Sequence, residues 1–223
     1  MKKNSTIIFD LDGVIVDTHP LHIKAWKKMC SSALKKDLTK SLEFKLRGLG
    51  RKESLNLILE QVSYNISETE KKNLADLKNS YYKKLIKSID TNDLLEGALD
   101  TLIYLKENNY KIALGSSSAN AKSIVEQLKI NHYFDYIVNP VSLKSKPAPD
   151  IFIKAAEKLN ELPERCLVIE DSITGVQAAN KAGMSVLAIG DWRNFKNNKV
   201  IGVVNTLNQW DFNKMTYLSG VTS

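Results

Sequence analysis

After Asp93 the sequence alternates between amphipathic helical segments and short apolar strands, and few folds accommodate that order. Helix 97–108 precedes Lys111-Ile112-Ala113-Leu114-Gly115, and helix 119–129 precedes Tyr136-Ile137-Val138. Helix 149–160, with Pro149 suited to its first turn, precedes Cys166-Leu167-Val168-Ile169. Helix 173–182 precedes Ser185-Val186-Leu187-Ala188-Ile189, and a last strand over 200–204 leads into an amphipathic segment over 207–218. A further apolar run, Ile7-Ile8-Phe9, stands near the start. Strands that are apolar throughout, each reached through a helix, predict a Rossmann-like α/β core: a parallel sheet with helices on both faces.

Between the first strand and Asp93 the pattern is helical only. From Pro20 onward Leu21, Ala25, Met29 and Leu34 lie close to one helical face, which Trp26 broadens. Leu55, Ile58, Leu59 and Val62 repeat the spacing over 51–62. A third stretch opens on Ser67-Glu68-Thr69-Glu70, a capping-box pattern, and runs to about Ile89. The expected organisation is a core of residues 1–17 and 91–223 interrupted by an all-helical insertion of residues 18–90.

In parallel sheets of this kind ligands bind beyond the carboxyl ends of the strands. The first strand ends in Asp10 and Asp12, within FDLDGVIVDTH, and the second in Ser116-Ser117-Ser118. Lys146 lies in SKPAPD after the third, and the fourth ends in Glu170-Asp171. Each has an ordinary reading alone: a turn aspartate, a solvated loop lysine, turn serines, the acidic start of a helix. Four such sets after four successive strands point instead to a site. Buried carboxylates cost several kcal/mol per ion unless a cation balances them, and Lys146 and a metal ion are the candidates.

Phosphoryl transfer to a carboxylate fits this set. Asp10 is the expected nucleophile, since an unperturbed aspartate ionises near pKa ~3.9 and needs no adjacent base. Mg²⁺ held by Asp10, the backbone carbonyl of Asp12, and Asp171, with Glu170 supporting, would relieve repulsion between two anions. Lys146 adds a fixed charge against the phosphoryl oxygens and Asp10, while Ser116 and the N–H groups of its loop hold those oxygens. Asp12 lies two residues along an extended segment, faces the same side as Asp10, and suits a general acid/base.

Composition narrows the remaining classes. A chain of 223 residues, 43% hydrophobic and 26% charged, is an ordinary globular protein with room for one large domain or a core plus an insertion. The formal charge of +7 is spread along helical stretches such as Lys27-Lys28, Lys71-Lys72 and Lys83-Lys84. That spread argues against nucleic acid and for attraction of anionic metabolites. Two cysteines, Cys30 and Cys166, give neither a disulfide framework nor a zinc pattern. No apolar stretch approaches the ~20 residues that span a bilayer, and MKKNSTIIFD meets Asp10 too early for a signal peptide. The expectation is a cytoplasmic monomer with small-molecule partners and no nucleic acid or membrane.

Through FDLDGV at 9–14, the Ser116 strand end, Lys146 in SKPAPD and IEDS at 169–172, the sequence resembles the haloacid dehalogenase superfamily. Its helical insertion is similar to that superfamily's small helical cap. More narrowly, FDLDGVIVDT, LHIKAW, RGLGRKESL, KIALGSSSAN, SKPAPDIFI and IEDSITGVQA are similar to the β-phosphoglucomutase branch, over nearly the whole chain. That resemblance implies interconversion of β-glucose 1-phosphate and glucose 6-phosphate through a bisphosphate intermediate and a phosphorylated Asp10. It implies that Thr18 and His22 couple cap closure to the placing of Asp12, that Arg51 grips the distal phosphate, that Lys78 faces the substrate from the cap, and that Trp26 is a cap-helix aromatic at the substrate side, for which packing under the cap is the alternative. Gly48, Ser117, Ser118 and Asn120 fall in matching substrate-binding segments. Arg47 stands where the pattern has lysine, and a planar fork is not equivalent to an ammonium; Ser117 replaces a small apolar residue.

The core motifs are shared with sugar-phosphate phosphatases, so they leave the acceptor open between water and a sugar hydroxyl. A phosphosugar-binding module that keeps the fold is the non-enzyme alternative. A phosphonate hydrolase would need a Schiff-base lysine, for which Lys24, Lys27 or Lys28 could serve, but the match around His22 argues against it.

Overall fold

Strands with no polar alternation belong at the centre of a sheet covered on both faces, and the chain uses its apolar runs in that way. The computed structural model describes residues 6–46 and 49–212. Its strands are β1 (Thr6–Phe9), β2 (Lys111–Leu114), β3 (Tyr136–Ile137), β4 (Cys166–Glu170), β5 (Ser185–Ile189) and β6 (Gly202–Val204). They form one parallel sheet in the order β3-β2-β1-β4-β5-β6. β1 is buried along its length because β2 and β4 flank it, with Ile7 opposite Ile112 on one side and Leu167 on the other. The chain steps outward from β1 to β3, then returns to β4 on the other side of β1. That reversal creates a crevice at the carboxyl ends of β1 and β4, the usual ligand position in such sheets.

By internal packing the chain divides into two compact units: residues up to Asp17 together with those from Asp90 onward, and Thr18–Ile89. The second unit is helical, with α1 (His19–Met29), α2 (Lys40–Lys45), α3 (Arg51–Gln61) and α4 (Glu68–Leu85). Its core gathers Ile23, Trp26, Met29, Leu42, Leu55, Ile58 and Leu59. The chain continues from α1 into a π-helical turn over Cys30–Leu34, closed by Lys35 in the left-handed conformation. Leu34 is five residues beyond Met29, and the wider π turn brings it into the same core. The capping box at α4 is present: Glu70 N–H donates to Ser67 Oγ, and Ser67 N–H donates to Glu70 Oε2. Helix α2 is absent from the sequence pattern because only Leu42 of its six residues is buried.

In the sheet-bearing unit the strands are joined through α5 (Ala98–Glu107), α6 (Ala121–Gln127), α7 (Asp150–Lys158) and α8 (Ile173–Lys181), with a short α9 (Trp192–Phe195) after β5. Ile8, Ala113, Val168 and Val186 from the sheet pack with Phe152, Ala155, Val176 and Ala179 from α7 and α8 in one apolar cluster. The amphipathic segment expected over 207–218 begins as a 3₁₀ turn at Leu207–Gln209, and its part beyond 212 lies outside the described residues.

Candidate active site

The register of the sheet delivers the acidic groups to one place. Phe9 sits opposite Ile169, and Asp10 N–H donates to the Ile169 carbonyl at 2.9 Å, so the first residues past β1 run beside the end of β4. Gly115 N–H donates to the Phe9 carbonyl at 2.8 Å, which puts Ser116, two residues beyond β2, on the same edge. The chain then turns sharply after Asp12. Gly13 takes φ +83° and donates to the Val16 carbonyl, and Ile15 N–H donates to that of Leu11.

Lys146 is the group that ties the edge together. Its Nζ lies 2.5 Å from Asp10 Oδ1 and 2.7 Å from Glu170 Oε1, above the Phe152 ring. Behind it, Lys181 of α8 donates to the Pro147 carbonyl at 3.0 Å and steadies the loop. Glu170 is fully enclosed, and its other oxygen accepts from Ser172 N–H and Ser172 Oγ at 2.8 and 2.9 Å. Burial pushes the Asp10 carboxyl well above the ordinary carboxylate range; Lys146 opposes this, while Glu170 and Asp171 add to it. Burial disfavours the Lys146 ammonium too, but Asp10 and Glu170 outweigh it and hold the group above the ordinary range. Two carboxylates thus share one ammonium while Asp171 adds its charge to Asp10, and the negative excess remains to be offset.

Two observations bear on a divalent ion. A Cβ on Gly13 would stand 2.0 Å from Asp171 Oδ2, so the missing side chain is what admits that carboxylate to the turn. Among the described residues no three Asp, Glu, His or Cys side chains stand together as a ready cage. An ion here has to draw on two carboxylates, main-chain oxygen and the ligand. Mg²⁺, which keeps several waters and is bound through one or two carboxylates plus substrate phosphates, fits that donor set.

Around the edge, Ser116 and Asn120 are buried, Ser118 is half-buried and Ser117 is exposed. Ser116 Oγ accepts from Ser118 N–H at 3.1 Å and Ser118 Oγ from Asn120 N–H at 3.3 Å, a turn held by its own hydroxyls. Asp12 is half-buried.

The helical unit has a cationic cluster of its own. Lys78, buried in α4, donates from Nζ to His22 Nδ1 at 2.6 Å and lies over the Trp26 and Tyr82 rings at 4.9 and 4.8 Å. An ammonium offers only protons, so Nδ1 accepts and the neutral ring carries its proton on Nε2. Burial, then the charges of Lys78, His19 and Arg51, hold His22 well below the ordinary imidazole range. The ring of Tyr82 stacks on His22 at 4.0 Å, and its hydroxyl shares a 2.7 Å hydrogen bond with Thr18 Oγ1. Arg51 opens α3 and donates from Nη2 to Asn79 Oδ1 at 3.0 Å. Arg47 and Gly48 lie outside the described residues.

Sequence reasoning gave no role to Ser172 and Gly175, although both stand in the quoted IEDSITGVQA, nor to Asn79 and Tyr82. Of the last two, Tyr82 carried a signal: it lies one helical turn from Lys78 in the same segment.

Three comparisons place this geometry among known proteins. The family model for haloacid dehalogenase-like hydrolases matches residues 7–189. A β-phosphoglucomutase of Bacillus subtilis (strain 168) is 40% identical over 187 residues, 82% of this chain and 82% of its own. A phosphorylated carbohydrates phosphatase of Thermotoga maritima is 31% identical over 206 residues, 91% of this chain and 86% of its own. Among crystal structures, a β-phosphoglucomutase from Clostridium difficile superposes with a TM-score of 0.88 at 40% identity, over 95% of each chain. The parallel sheet with its acidic crevice, the family match across most of its length and the relatives on either side agree: this chain belongs to the haloacid dehalogenase-like hydrolases, a family of enzymes.

Proposed function

We propose that the protein is a Mg²⁺-dependent β-phosphoglucomutase, interconverting β-D-glucose 1-phosphate and glucose 6-phosphate. The observation that carries the chemistry is the buried Lys146 ammonium bridging Asp10 and Glu170 where β1 and β4 end. The choice of a sugar acceptor leans on the 40% identity to the mutases.

In this reading Asp10 begins the cycle as an acyl phosphate. The C6 hydroxyl of β-glucose 1-phosphate attacks that phosphorus, the bond to the Asp10 oxygen breaks, and Asp12 accepts the hydroxyl proton. The product is β-glucose 1,6-bisphosphate. Once this turns end for end, Asp10 attacks the C1 phosphorus and the P–O bond to C1 breaks. Asp12 returns the proton to the departing oxygen, and glucose 6-phosphate leaves with Asp10 phosphorylated again. Lys146 offsets charge on the moving oxygens, and Ser116, with the turn through Ser117, Ser118 and Asn120, supplies donors to them. A bound Mg²⁺, held by Asp10, Asp171 and the Asp12 carbonyl with Glu170 supporting, would lower repulsion between carboxylate and phosphate.

A mutase also needs a second anion site, because its intermediate carries a phosphate at each end. We assign that role to residues 18–90 as a cap, with Arg51 on the distal phosphate and Arg47 and Gly48 beside it. Lys78 and the Nε2–H of His22 would face the sugar over Trp26, and Thr18 would couple closure to Asp12. Among the described residues no helix is long and apolar enough to cross a membrane; the reading is completed by a cytoplasmic monomer acting on small sugar phosphates.

The Thermotoga maritima relative favours a second reading, a sugar-phosphate phosphatase, in which water takes the place of the C6 hydroxyl. Supplying β-glucose 1-phosphate with Mg²⁺ and a trace of the bisphosphate separates the two. Glucose 6-phosphate accumulating without matching inorganic phosphate supports the mutase; stoichiometric phosphate release supports the phosphatase.

A further inference from the structure

Glu170 meets Lys146 with one oxygen, and a second set of contacts decides where Glu170 itself can stand. Ser172 caps α8 and gives its hydroxyl proton and its N–H to Glu170 Oε2, while its oxygen accepts Gly175 N–H at 3.0 Å. A Cβ on Gly175 would fall 1.7 Å from Glu170 Oε1 and 1.9 Å from its Cδ. Gly175 does not have a positive φ, so its backbone conformation is open to any residue. Glycine in the first turns of a nine-residue helix is a poor helix former. What explains it here is space: the volume of the missing side chain holds the Glu170 carboxylate.

We infer that Ser172 and Gly175 are positioning residues for phosphoryl transfer, forming the seat that fixes Glu170, through it Lys146, and through Lys146 the nucleophile Asp10. Ser172 sets the direction of the carboxylate and Gly175 leaves it room. Without the seat Glu170 swings away from Lys146, and the ammonium is anchored by Asp10 alone, the very group that must move onto phosphorus. Neither residue touches substrate, so the loss falls on the transfer step and leaves substrate binding unchanged. This rests on the reading of Asp10 as the phosphorylated group.

The test is transfer to Asp10 from acetyl phosphate, a donor too small to need the helical residues, with Mg²⁺ present and the rate followed in a single turnover. Gly175→Ala and Ser172→Ala are each expected to slow phosphorylation about 10- to 100-fold, the usual range for outer-shell partners, with the donor concentration at half-maximal rate unchanged. Ser172→Thr, which keeps the hydroxyl, recovers most of the rate. A second readout needs neither metal nor turnover: the ¹⁵N ammonium signal of Lys146, sheltered from exchange in the native protein, broadens in Gly175→Ala and Ser172→Ala. Wild-type rates and an unchanged Lys146 signal in both variants overturn the seat while leaving the nucleophile intact. Should Gly175→Ala fail to fold, Ser172→Ala decides by the same two readouts. No phosphorylation of Asp10 in the wild-type protein overturns the reading beneath it, and the seat with it.

Discussion

Replacing Lys146 with methionine isolates the electrostatic balance of the crevice. The ammonium lies 2.5 Å from Asp10 and 2.7 Å from Glu170, with side-chain exposures of 7%, 10% and 1% for the three groups. Methionine fills a similar volume but leaves two enclosed carboxylates without their counter-charge. Removing one partner of a buried ion pair costs ~3–5 kcal/mol. At ~2–4 °C per kcal/mol for a chain of this size, Tm falls by about 6–20 °C. The measurement is calorimetry near neutral pH in the presence of a chelator. The sign of the pH dependence follows from Asp10. Its folded pKa already lies above its unfolded value and rises further once Lys146 no longer opposes burial. Between those two values the folded chain binds more protons, so the variant regains stability as pH falls through the folded pKa. Adding Asp10→Asn removes the unpaired charge, so the double variant is less destabilised than the sum of the singles. A Tm change in Lys146→Met below about 2 °C, or strict additivity in the double variant, would refute the balance.

Three further outcomes can be measured independently. Gly13→Ala places a methyl group against Asp171 at a backbone conformation only glycine adopts easily, so Mg²⁺ affinity by titration calorimetry falls ~10- to 100-fold; unchanged affinity would remove Asp171 from the metal. His22 has a folded pKa below its unfolded value of ~6.5, so between the two the unfolded chain binds more protons and stability is lost as pH falls through that window. His22→Gln flattens the loss in urea titrations, and identical slopes in both proteins would sink the assignment. Arg51→Ala lowers kcat/KM for β-glucose 1-phosphate by ~10- to 150-fold, from the ~1.5–3 kcal/mol of a charge-assisted hydrogen bond; unaltered turnover would end its role at the distal phosphate.

The alternation after Asp93 was enough to predict a parallel sheet, because central strands have no solvated face to obscure their apolar runs. The strand-end residues were legible for a related reason: in a parallel sheet the position after each strand fixes the edge, and Asp10, Ser116 and Glu170 inherit their places from backbone register. What periodicity could not supply were features resting on short range or on absence. Helices α2 and α9 bury too few side chains to leave a pattern. The π turn after Met29 disguises itself as a helix with one displaced leucine. Gly13 and Gly175 matter through the atoms they lack, and only coordinates reveal what stands in the vacated space. Periodicity alone shows Lys78 as one more helical lysine; the family resemblance singled it out, and its burial against His22, Trp26 and Tyr82 emerges only from the fold.

The most direct test is to incubate the protein with Mg²⁺ and glucose 1,6-bisphosphate, quench in acid within one turnover, and map the phosphoryl group by peptide mass spectrometry. The account predicts an acid-stable, base-labile acyl phosphate on Asp10, absent from Asp10→Asn. A phosphoryl group on any other residue, or transfer that persists in Asp10→Asn, would contradict it.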